Sequence, residues 1–500
     1  MFSSTARSRR LIPRQVMPWI TASFPITTTR HISNIPSSST YVAPIANTTS
    51  MEMPPVISKS HLEEGEFWRE LALYRDVSLR DFYSWSWNIN NILEQKNKLS
   101  ETLYSLLPDE VPRSVSIGGM QTADEFVTDV WGGIKKSAMS VRVVPYVLSR
   151  INWADPANCP VFRQFIPLKS IMIKDHPKVE PDSLHELQDM PVEDVVHRYP
   201  DKALFLRKMT STLVNGNMAE KSLALSVCPT YCIFCTRSYG VGAHTYITKK
   251  TFKLGKKKLE NAFAYMRSQP QLKDIVISGG DAYYLPSHIL EWIGDELISM
   301  DNIERFRIAT KGLAVAPNRI LDDEDDWTAA LIRISNKARK AGKHFALHTH
   351  FNHPNEISWI TEKASRKLSE AAVTVRNQTV LLRDINDNVA TMSSLIQKLA
   401  KMHIHPYYVY QCDMVPRVEH LRTPLQTILD LQKQLRGSIA GFDMPNFVVD
   451  LPGGGGKRLA CDYESYDRDT GVSTFLAPVI TKNGKEGKIY EYYDPIKPSS

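Results

Sequence analysis

From residue 222 to residue 450, short apolar runs alternate with longer segments in which apolar residues recur every three or four positions. The short runs predict β-strands, and the longer segments predict amphipathic helices. Strands are predicted at 223–227, 274–278, 305–310, 344–350, within 372–382, at 404–411 and at 446–450. Helices are predicted at 251–267, 287–299, 325–341, 356–371, 388–402 and 425–435. This alternation predicts an α/β fold with a parallel sheet, and six repeats favour a partial (βα)6 barrel over a closed barrel of eight.

The rest of the chain divides around this barrel region, which we place at residues 201–450. Residues 60–200 predict a mostly helical N-terminal region with Pro-rich loops. Residues 451–500 predict a glycine-rich loop that ends in a lysine, followed by a short C-terminal extension. That extension predicts a hairpin of 478–482 and 488–493, because Asn483-Gly484 is a strong hairpin-turn signal.

Residues 1–55 differ in composition from the rest of the chain. The first 51 contain five arginines and many Ser and Thr residues, but neither Lys nor an acid. This composition is typical of a mitochondrial transit peptide followed by a linker, and it predicts a protein of the mitochondrial matrix. A disordered basic tail without a targeting role is the alternative.

The composition of the whole chain is that of a globular enzyme, with 42% hydrophobic and 23% charged residues. No uncharged apolar stretch reaches the roughly 18 residues that a membrane-spanning helix needs, so we expect no membrane partner. The net charge is +7, but the five N-terminal arginines leave only +2 for the remainder. We therefore do not expect a nucleic-acid partner.

Three of the six cysteines, Cys228, Cys232 and Cys235, have the spacing C-x3-C-x2-C. Cysteine thiolates are the ligands that iron–sulfur clusters require. Three thiolates on a [4Fe–4S] cluster leave one iron open, and in proteins with this spacing the expected ligand of that iron is S-adenosylmethionine (SAM). The motif resembles that of the radical SAM superfamily. A structural zinc knuckle is the alternative, but it needs a fourth ligand, and no Cys or His follows before His244.

Two glycine-containing stretches follow predicted strands. Ser278-Gly279-Gly280-Asp281 lets the backbone approach a ligand closely, and its edge suits the amino group of SAM. The run Gly453–Gly456 precedes Lys457 but is not a phosphate loop, because the required Gly and Ser or Thr are replaced by Leu451 and Arg458. A lysine in this setting can instead form a Schiff base with pyridoxal phosphate (PLP). The alternative is a solvated glycine loop with a surface lysine.

PLP also needs partners for its phosphate. Arg198, Tyr199 and Lys202 supply two cations and a hydroxyl within five residues. Alone, such a group is more often a solvated loop. The histidines His348, His350 and His353 lie close together in the sequence. From the residues alone, a zinc site is an alternative interpretation of this cluster.

Across about residues 65–460 the chain resembles the lysine 2,3-aminomutase family. The resemblance lies in HRYPDKALF, CPTYCIFCTR, ISGGDA, THFNHPNEI, NQTVLLRDIND, HPYYVYQCD, LRTP and FVVDLPGGGGK. It implies cluster ligation by Cys228, Cys232 and Cys235, SAM contacts by Ser278, Gly279, Gly280, Asp281, His350 and Gln378, and PLP contacts by Lys457, Arg198, Tyr199, Lys202 and Tyr410. It implies that Arg237 binds the substrate carboxylate and that Asp413 and Asp450 bind the distal ammonium of lysine.

The activity implied by the resemblance is conversion of L-lysine to β-lysine through a 5′-deoxyadenosyl radical, with an unidentified one-electron donor. The alternatives are the same chemistry on glutamate, arginine or protein-bound lysine, and a non-catalytic relative that binds SAM or a cluster. The chain also departs from the family. An insertion is predicted near residues 209–220, and Asn388 stands where relatives carry a zinc-binding Cys. We therefore expect no zinc, and a homo-oligomer without that site is left open.

Overall fold

The computed structural model describes residues 65–94, 98–207, 228–241, 256–479 and 484–496, all within the unit Pro55–Ser500. The transit peptide and linker predicted at 1–55, the insertion near 209–220 and the strand at 223–227 lie outside these ranges. The structure therefore describes the barrel region without its predicted first strand, together with most of the flanking regions.

Short helices and two small antiparallel strand pairs make up the described N-terminal region. Its longest helix begins at a capping box, in which Thr122 and Glu125 each bond the other's backbone amide. The strand pairs are β1 with β4 and β2 with β3. The elements are α1 Leu79–Tyr83, α2 Trp85–Asn90, β1 Leu93–Glu94, α3 Leu99–Leu106, β2 Glu110–Pro112, β3 Met120–Thr122, α4 Ala123–Lys136, β4 Arg142–Val143, α5 Pro145–Leu148 and α6 Phe162–Phe165.

A nine-stranded sheet forms the centre of the molecule. Its seven inner strands, β6 to β12, are parallel and lie in chain order, and the edge strands β5 and β13 are antiparallel to their neighbours. The strands are β5 Val195–Val196, β6 Lys202–Arg207, β7 Asp274–Gly279, β8 Arg305–Ala309, β9 His344–Thr349, β10 Val375–Leu381, β11 Ile404–Gln411, β12 Asn446–Leu451 and β13 Gly456–Leu459. The sheet is curled into a half-barrel, because residues of all seven parallel strands line one cavity.

A helix precedes each of the strands β7 to β12 and crosses from the strand before it. Their starts and ends follow local chemistry: Asn388 accepts from the amide of Thr391 at 2.9 Å, and Lys398 and Lys401 lie in the last turn of that helix. The helices are α7 Lys256–Arg267, α8 Ser287–Ile298, α9 Gly312–Val315, α10 Asn318–Leu321, α11 Trp327–Lys340, α12 Trp359–Glu370, α13 Val389–Lys401 and α14 Leu425–Leu435.

The fold differs from the sequence prediction at both ends of the sheet. The first described parallel strand is β6, which begins within the stretch HRYPDKALF and pairs with β7 along its whole length. At the C-terminus, β14 Ser465–Asp467, β15 Val472–Leu476 and β16 Ile489–Tyr493 form a three-stranded antiparallel sheet. The strand paired with β16 is thus β15, whereas of the predicted strand at 478–482 only residues 478 and 479 are described, outside regular structure.

Candidate active site

The concave face of the sheet encloses a cavity of about 1000 Å³. Parallel strands bring their carboxyl ends to one edge of a sheet, which is where α/β barrels place their chemistry. Every residue that the sequence analysis assigned to the site lines this one cavity: Arg198, Tyr199, Lys202, Cys228, Cys232, Cys235, Arg237, Ser278, Gly279, Gly280, Asp281, His350, Gln378, Tyr410, Asp413, Asp450 and Lys457.

The three cysteines lie on a turn-rich loop that is tied to the N-terminal region. The amide of Tyr231 donates to the carbonyl of Arg142 at 2.9 Å, which holds the loop between the first two cysteines. Burial raises the pKa of Cys228, and it raises the pKa of Cys232 to about 12. The neighbouring thiols contribute to both shifts, so the cysteines lie within electrostatic range of one another.

The described residues contain no group of three or more His, Cys, Asp or Glu arranged to hold a single metal ion. A cubane cluster is larger than one ion and spreads its ligands more widely. A set of three thiols at one wall of a cavity, with space beyond it, is the donor chemistry that such a cluster requires. The donor set therefore fits an iron–sulfur cluster better than a lone metal ion.

The end of β7 is fixed by the carboxylate of Asp281. Its Oδ1 accepts from the amide of Tyr283 at 2.8 Å, and its Oδ2 accepts from the amide of Lys311 at 2.9 Å. Gly279 has a φ of 142°, which a residue with a Cβ rarely adopts. The conformation thus requires glycine, and Asp281 shapes this edge by joining the ends of β7 and β8.

His350 and Gln378 both line the cavity; His350 directly follows β9, and Gln378 lies in the middle of β10. The Nε2 atom of His350 is buried and has no hydrogen-bond partner among the described residues. Burial holds the pKa of His350 well below its usual range, so its imidazole is neutral. The register between β10 and β11 shifts at Gln378, and such irregularities commonly re-aim a side chain at a functional site. An unpaired buried nitrogen beside a cavity is what a ligand contact would satisfy.

The glycine run before Lys457 is a packed turn, so the alternative of a solvated loop is wrong. Gly454, Gly455 and Gly456 are all buried. A Cβ on Gly455 would lie 2.5 Å from the ring of Tyr490, and a Cβ on Gly454 would lie 2.7 Å from Nζ of Lys485. Glycine is therefore needed here for close packing, and the turn holds Lys457 at a defined place on β13.

Lys457 lies directly opposite Asp450 in the antiparallel pair of β13 and β12. Its Nζ donates to the two carboxylate oxygens at 2.8 and 2.9 Å and to the hydroxyl of Tyr410 at 3.0 Å. Burial lowers the pKa of Lys457, but Asp450, Tyr410 and Tyr199 outweigh burial and raise it above its ordinary value. The amine is consequently held as an ammonium, which must lose a proton before it can attack a carbonyl carbon.

Asp413 follows β11 and is less well paired. Its Oδ2 accepts from the hydroxyl of Thr236, while its Oδ1 is buried without a hydrogen-bond partner among the described residues. Burial and the nearby charge of Asp450 raise the pKa of Asp413 to about 7. A buried carboxylate with an unpaired oxygen is a ready site for a cation or for a hydrogen-bond donor.

The proposed phosphate-binding residues lie beside this lysine. Tyr199 is close enough to Lys457 for each to shift the pKa of the other. Lys202 places its Nζ 4.2 Å from the centroid of the Tyr199 ring. Two cations and a phenol at one end of the cavity are suitable partners for a phosphate group.

Two buried carboxylates that the sequence analysis missed pair with the predicted arginines. Asp189 accepts from Nε of Arg198 at 2.6 Å, and Glu186 binds Arg237 with two hydrogen bonds. Lys485, from the C-terminal extension, donates to both oxygens of Asp189 at 2.9 Å. Both acids belong to an irregular segment without helical or strand periodicity. The one sequence signal that could have indicated a role for Asp189 is its proximity to the stretch HRYPDKALF.

Comparison with curated proteins identifies clear relatives. The chain is 33% identical to the L-lysine 2,3-aminomutase of Clostridium subterminale over 434 residues, covering 86% of this chain and 88% of the relative. It is 34% identical to the L-lysine 2,3-aminomutase of Bacillus subtilis over 395 residues, covering 78% and 71%. It is 29% identical to the glutamate 2,3-aminomutase of Clostridioides difficile over 321 residues, covering 63% and 66%. No family model matches the chain.

The comparison corrects one prediction. The lysine 2,3-aminomutases to which the chain is similar include enzymes of bacteria and archaea, organisms without mitochondria. The predicted transit peptide and the predicted location in the mitochondrial matrix are therefore wrong, and an Arg-rich, acid-free composition was not a sufficient basis for them. Within the part of the chain that the structure describes, no helix is both long and apolar enough to cross a membrane.

Proposed function

The chain belongs to the lysine 2,3-aminomutase family, whose members are isomerases, and we propose that it converts L-lysine to β-lysine. The observation that carries the proposal is the cation–anion pattern of the cavity. Arg237 lines the cavity as a cation, and the acidic pair Asp413 and Asp450 lines it within electrostatic range of Arg237. A lysine substrate presents a carboxylate to the first and an ammonium to the second, and a buried ammonium needs an opposite charge.

The unpaired Oδ1 of Asp413 supports lysine over glutamate. A glutamate substrate would bring a second carboxylate to this end of the cavity, next to a carboxylate that burial already disfavours. An incoming ammonium would instead satisfy Oδ1 and favour the ionised form of Asp413. It would also compete with Lys457 for Asp450, because that carboxylate is bound by the amine of Lys457 in the free protein.

Three cofactors are part of the proposal, and the family implies each of them. Cys228, Cys232 and Cys235 would hold a [4Fe–4S] cluster, and the strand-end residues from Ser278 to Asp281, with His350 and Gln378, would hold SAM. Lys457 would bind PLP, with Arg198, Tyr199 and Lys202 at its phosphate and Tyr410 beside it. When bound, the cluster with SAM supplies a radical that abstracts hydrogen, and PLP supplies the carrier for the migrating nitrogen.

The finer fold assignment, a radical SAM (βα)6 partial barrel, is also proposed. It is supported by six crossovers from β6 to β12, with a helix before each successive strand and one curled parallel sheet. The protein's own residues would act by position and by exclusion of water. Arg237 and Asp413 would fix the two ends of the substrate, so that its Cα and Cβ lie at one place in the cavity.

A comparison of two substrates tests the proposal. Protein reconstituted anaerobically with iron, sulfide, PLP and SAM is reduced with dithionite, and kcat/KM is measured for L-lysine and for L-glutamate. We expect turnover of lysine and none of glutamate. Asp413→Asn should lower kcat/KM for lysine at least tenfold, or about 1.4 kcal/mol of binding in the transition state, because it removes a charge from the ammonium site.

The matched control is Asp462→Asn, which makes the same chemical change at an exposed residue of the cavity wall. It should leave kcat/KM for lysine unchanged. Turnover of glutamate in preference to lysine, or equal losses in the two variants, would contradict the assignment of lysine as substrate. SAM cleavage without turnover of either amino acid would contradict it as well.

A further inference from the structure

A partly buried ion pair joins Glu186 to Arg237 at the wall of the cavity. Nε of Arg237 donates to Oε2 of Glu186 at 2.9 Å, and Nη2 donates to Oε1 at 2.8 Å. The Glu186 side chain is 6% exposed, whereas 27% of the Arg237 side chain is exposed. A carboxylate bound by two parallel hydrogen bonds fixes the plane of a guanidinium as well as its position.

The pair uses one of the two edges of the guanidinium. A guanidinium can bind a carboxylate through Nε and one Nη, or through both Nη atoms together. Glu186 takes the Nε edge, and within the described ranges no hydrogen bond is made by Nη1. Arg237 lines the cavity. The edge formed by the two Nη atoms is therefore the part of Arg237 that can bind a ligand in the cavity.

Glu186 is itself held by two further hydrogen bonds. Its amide donates to Oδ1 of Asp182 at 2.9 Å, and the hydroxyl of Tyr239 donates to its Oε2 at 2.9 Å. The residue before it, His185, has a φ of 49°, a left-handed conformation that turns the chain sharply. Burial would raise the pKa of Glu186, but Arg237 and Tyr239 outweigh burial and lower it, so the side chain is a carboxylate.

The position of Arg237 matters because an acid lies nearby. Arg237 is close enough to Asp413 to lower the pKa of that carboxyl against the larger effect of burial. An arginine without its buried partner would be attracted to the unpaired Oδ1 of Asp413. That contact would join the cationic and anionic ends of the substrate site and leave neither for a ligand.

We propose that Glu186 is a positioning residue, which binds one edge of Arg237 and thereby presents the other edge to the α-carboxylate of the amino acid substrate. The proposal rests on the proposed function, since that function places the carboxylate at Arg237. The proposal predicts that loss of Glu186 weakens the binding of ligands that carry a carboxylate and leaves the binding of ligands without one unchanged. A role of Glu186 in folding alone would instead affect all ligands of the cavity to the same degree.

The test compares two ligands that differ in that group. Dissociation constants of L-lysine and of cadaverine, the diamine that lacks the carboxylate, are measured by calorimetry. The protein carries its cluster, PLP and SAM but receives no reductant, so no turnover occurs. Glu186→Gln should weaken L-lysine binding by about tenfold to a hundredfold, by analogy with the range seen when the outer partners of metal-binding residues are removed. Its affinity for cadaverine should stay within about twofold of the wild type, a difference of about 0.4 kcal/mol that marks no change.

Two further variants keep the test decisive. Tyr239→Phe removes one hydrogen bond to Glu186 without altering a charge, and it should weaken L-lysine binding less than Glu186→Gln does. Glu180→Gln is the matched control, because Glu180 is exposed and pairs with His185 at 2.9 Å in the same segment. It should bind both ligands as the wild type does. If Glu186→Gln fails to fold, Tyr239→Phe decides the question by the same comparison of ligands, because it should still weaken L-lysine binding while leaving cadaverine binding unchanged.

Three outcomes would overturn the role of Glu186 while leaving the proposed function intact. They are unchanged L-lysine binding, equal losses for L-lysine and cadaverine, and tighter L-lysine binding, which would mean that Glu186 competes with the substrate for Arg237. A wild-type protein that binds no L-lysine would contradict the proposed function itself, and the role of Glu186 with it.

Discussion

Lys457 and Asp450 face each other across two antiparallel strands, and the amine of the first donates to both carboxylate oxygens of the second at 2.8 and 2.9 Å. The proposed function gives these two residues different ligands, the cofactor and the substrate. In the free protein they neutralise each other instead. The binding of either ligand must therefore disturb the other residue.

The first prediction concerns the capture of PLP by Lys457. Asp450→Asn removes a charge that raises the pKa of Lys457, so a larger fraction of the amine is unprotonated at pH 7. Imine formation should become faster by about tenfold for each unit by which the pKa falls. The measurement is the rate at which imine absorbance appears on mixing with PLP at pH 7. An unchanged or slower rate would show that Asp450 does not hold the amine as an ammonium.

A second prediction separates Lys457 from the other lysine at the glycine turn. Borohydride treatment of the PLP-loaded protein should attach a pyridoxyl group to Lys457, as detected by peptide mass spectrometry. Lys485 also lies against this turn, but both oxygens of Asp189 bind its ammonium, so it should remain unlabelled. Labelling should disappear in Lys457→Ala. A pyridoxyl group on Lys485 in the wild type would contradict the assignment.

The third prediction is a proton released on substrate binding. The carboxyl of Asp413 has a pKa of about 7 in the free protein, and an incoming ammonium favours its ionised form. L-lysine binding at pH 6 should therefore release a proton, which is measured as a dependence of the calorimetric enthalpy on the buffer's ionisation enthalpy. Asp413→Asn should abolish this release. Proton uptake, or a release that survives in the variant, would contradict the role of Asp413.

The same carboxyl gives a pH-dependent stability. A raised pKa means that the fold favours the protonated form, so the contribution of Asp413 is fully present below about pH 4 and is lost as the pH rises through about 7. Between about pH 4 and about pH 7, the free energy of unfolding contributed by Asp413 falls by up to about 1.4 kcal/mol per pH unit. Asp413→Asn should therefore lose less stability than the wild type between pH 4 and pH 8 in denaturant unfolding. Parallel curves for the two proteins would contradict this explanation.

A further prediction concerns the buried acid Asp189, which joins the C-terminal extension to the segment just before the barrel. Asp189 is bonded to Arg198 and Lys485, and all three side chains are buried. Asp189→Asn leaves two buried cations without their carboxylate, so it should lower the free energy of unfolding by about 3–5 kcal/mol. The control, Glu193→Gln, breaks an exposed pair with Lys258 and should change it by less than about 1 kcal/mol. Similar losses in the two variants would contradict the structural role of Asp189.

The repeating part of the fold was predictable because its helices and strands have strong hydrophobic periods. The predicted helix at 425–435 is α14, and the predicted strand at 404–411 is β11. β6 was missed because Lys202 and the residues before it were interpreted as a binding loop. The apolar run of β6 is too short to distinguish a strand from a connecting loop. Only its pairing with β7 identifies it as a strand. Long-range pairing of this kind leaves little trace in a single sequence.

The composition of the site was predictable to the extent that its residues lie at strand ends. Asp413 follows β11 and Asp450 lies near the end of β12, and the parallel sheet brings them to one cavity. The partners of the arginines were not predictable, because Glu186 and Asp189 lie in an irregular segment and contact residues far along the chain. The packing of the glycine turn against Tyr490 depends in the same way on the C-terminal sheet.

The central claim is tested most directly by the product formed from L-lysine. Protein with a full cluster and bound PLP is incubated anaerobically with SAM, dithionite and L-lysine, and the amino acids are separated by chromatography and identified by mass spectrometry. We predict β-lysine in the wild type and none in Cys232→Ala or Lys457→Ala. Cleavage of SAM to 5′-deoxyadenosine without any β-lysine would contradict the claim.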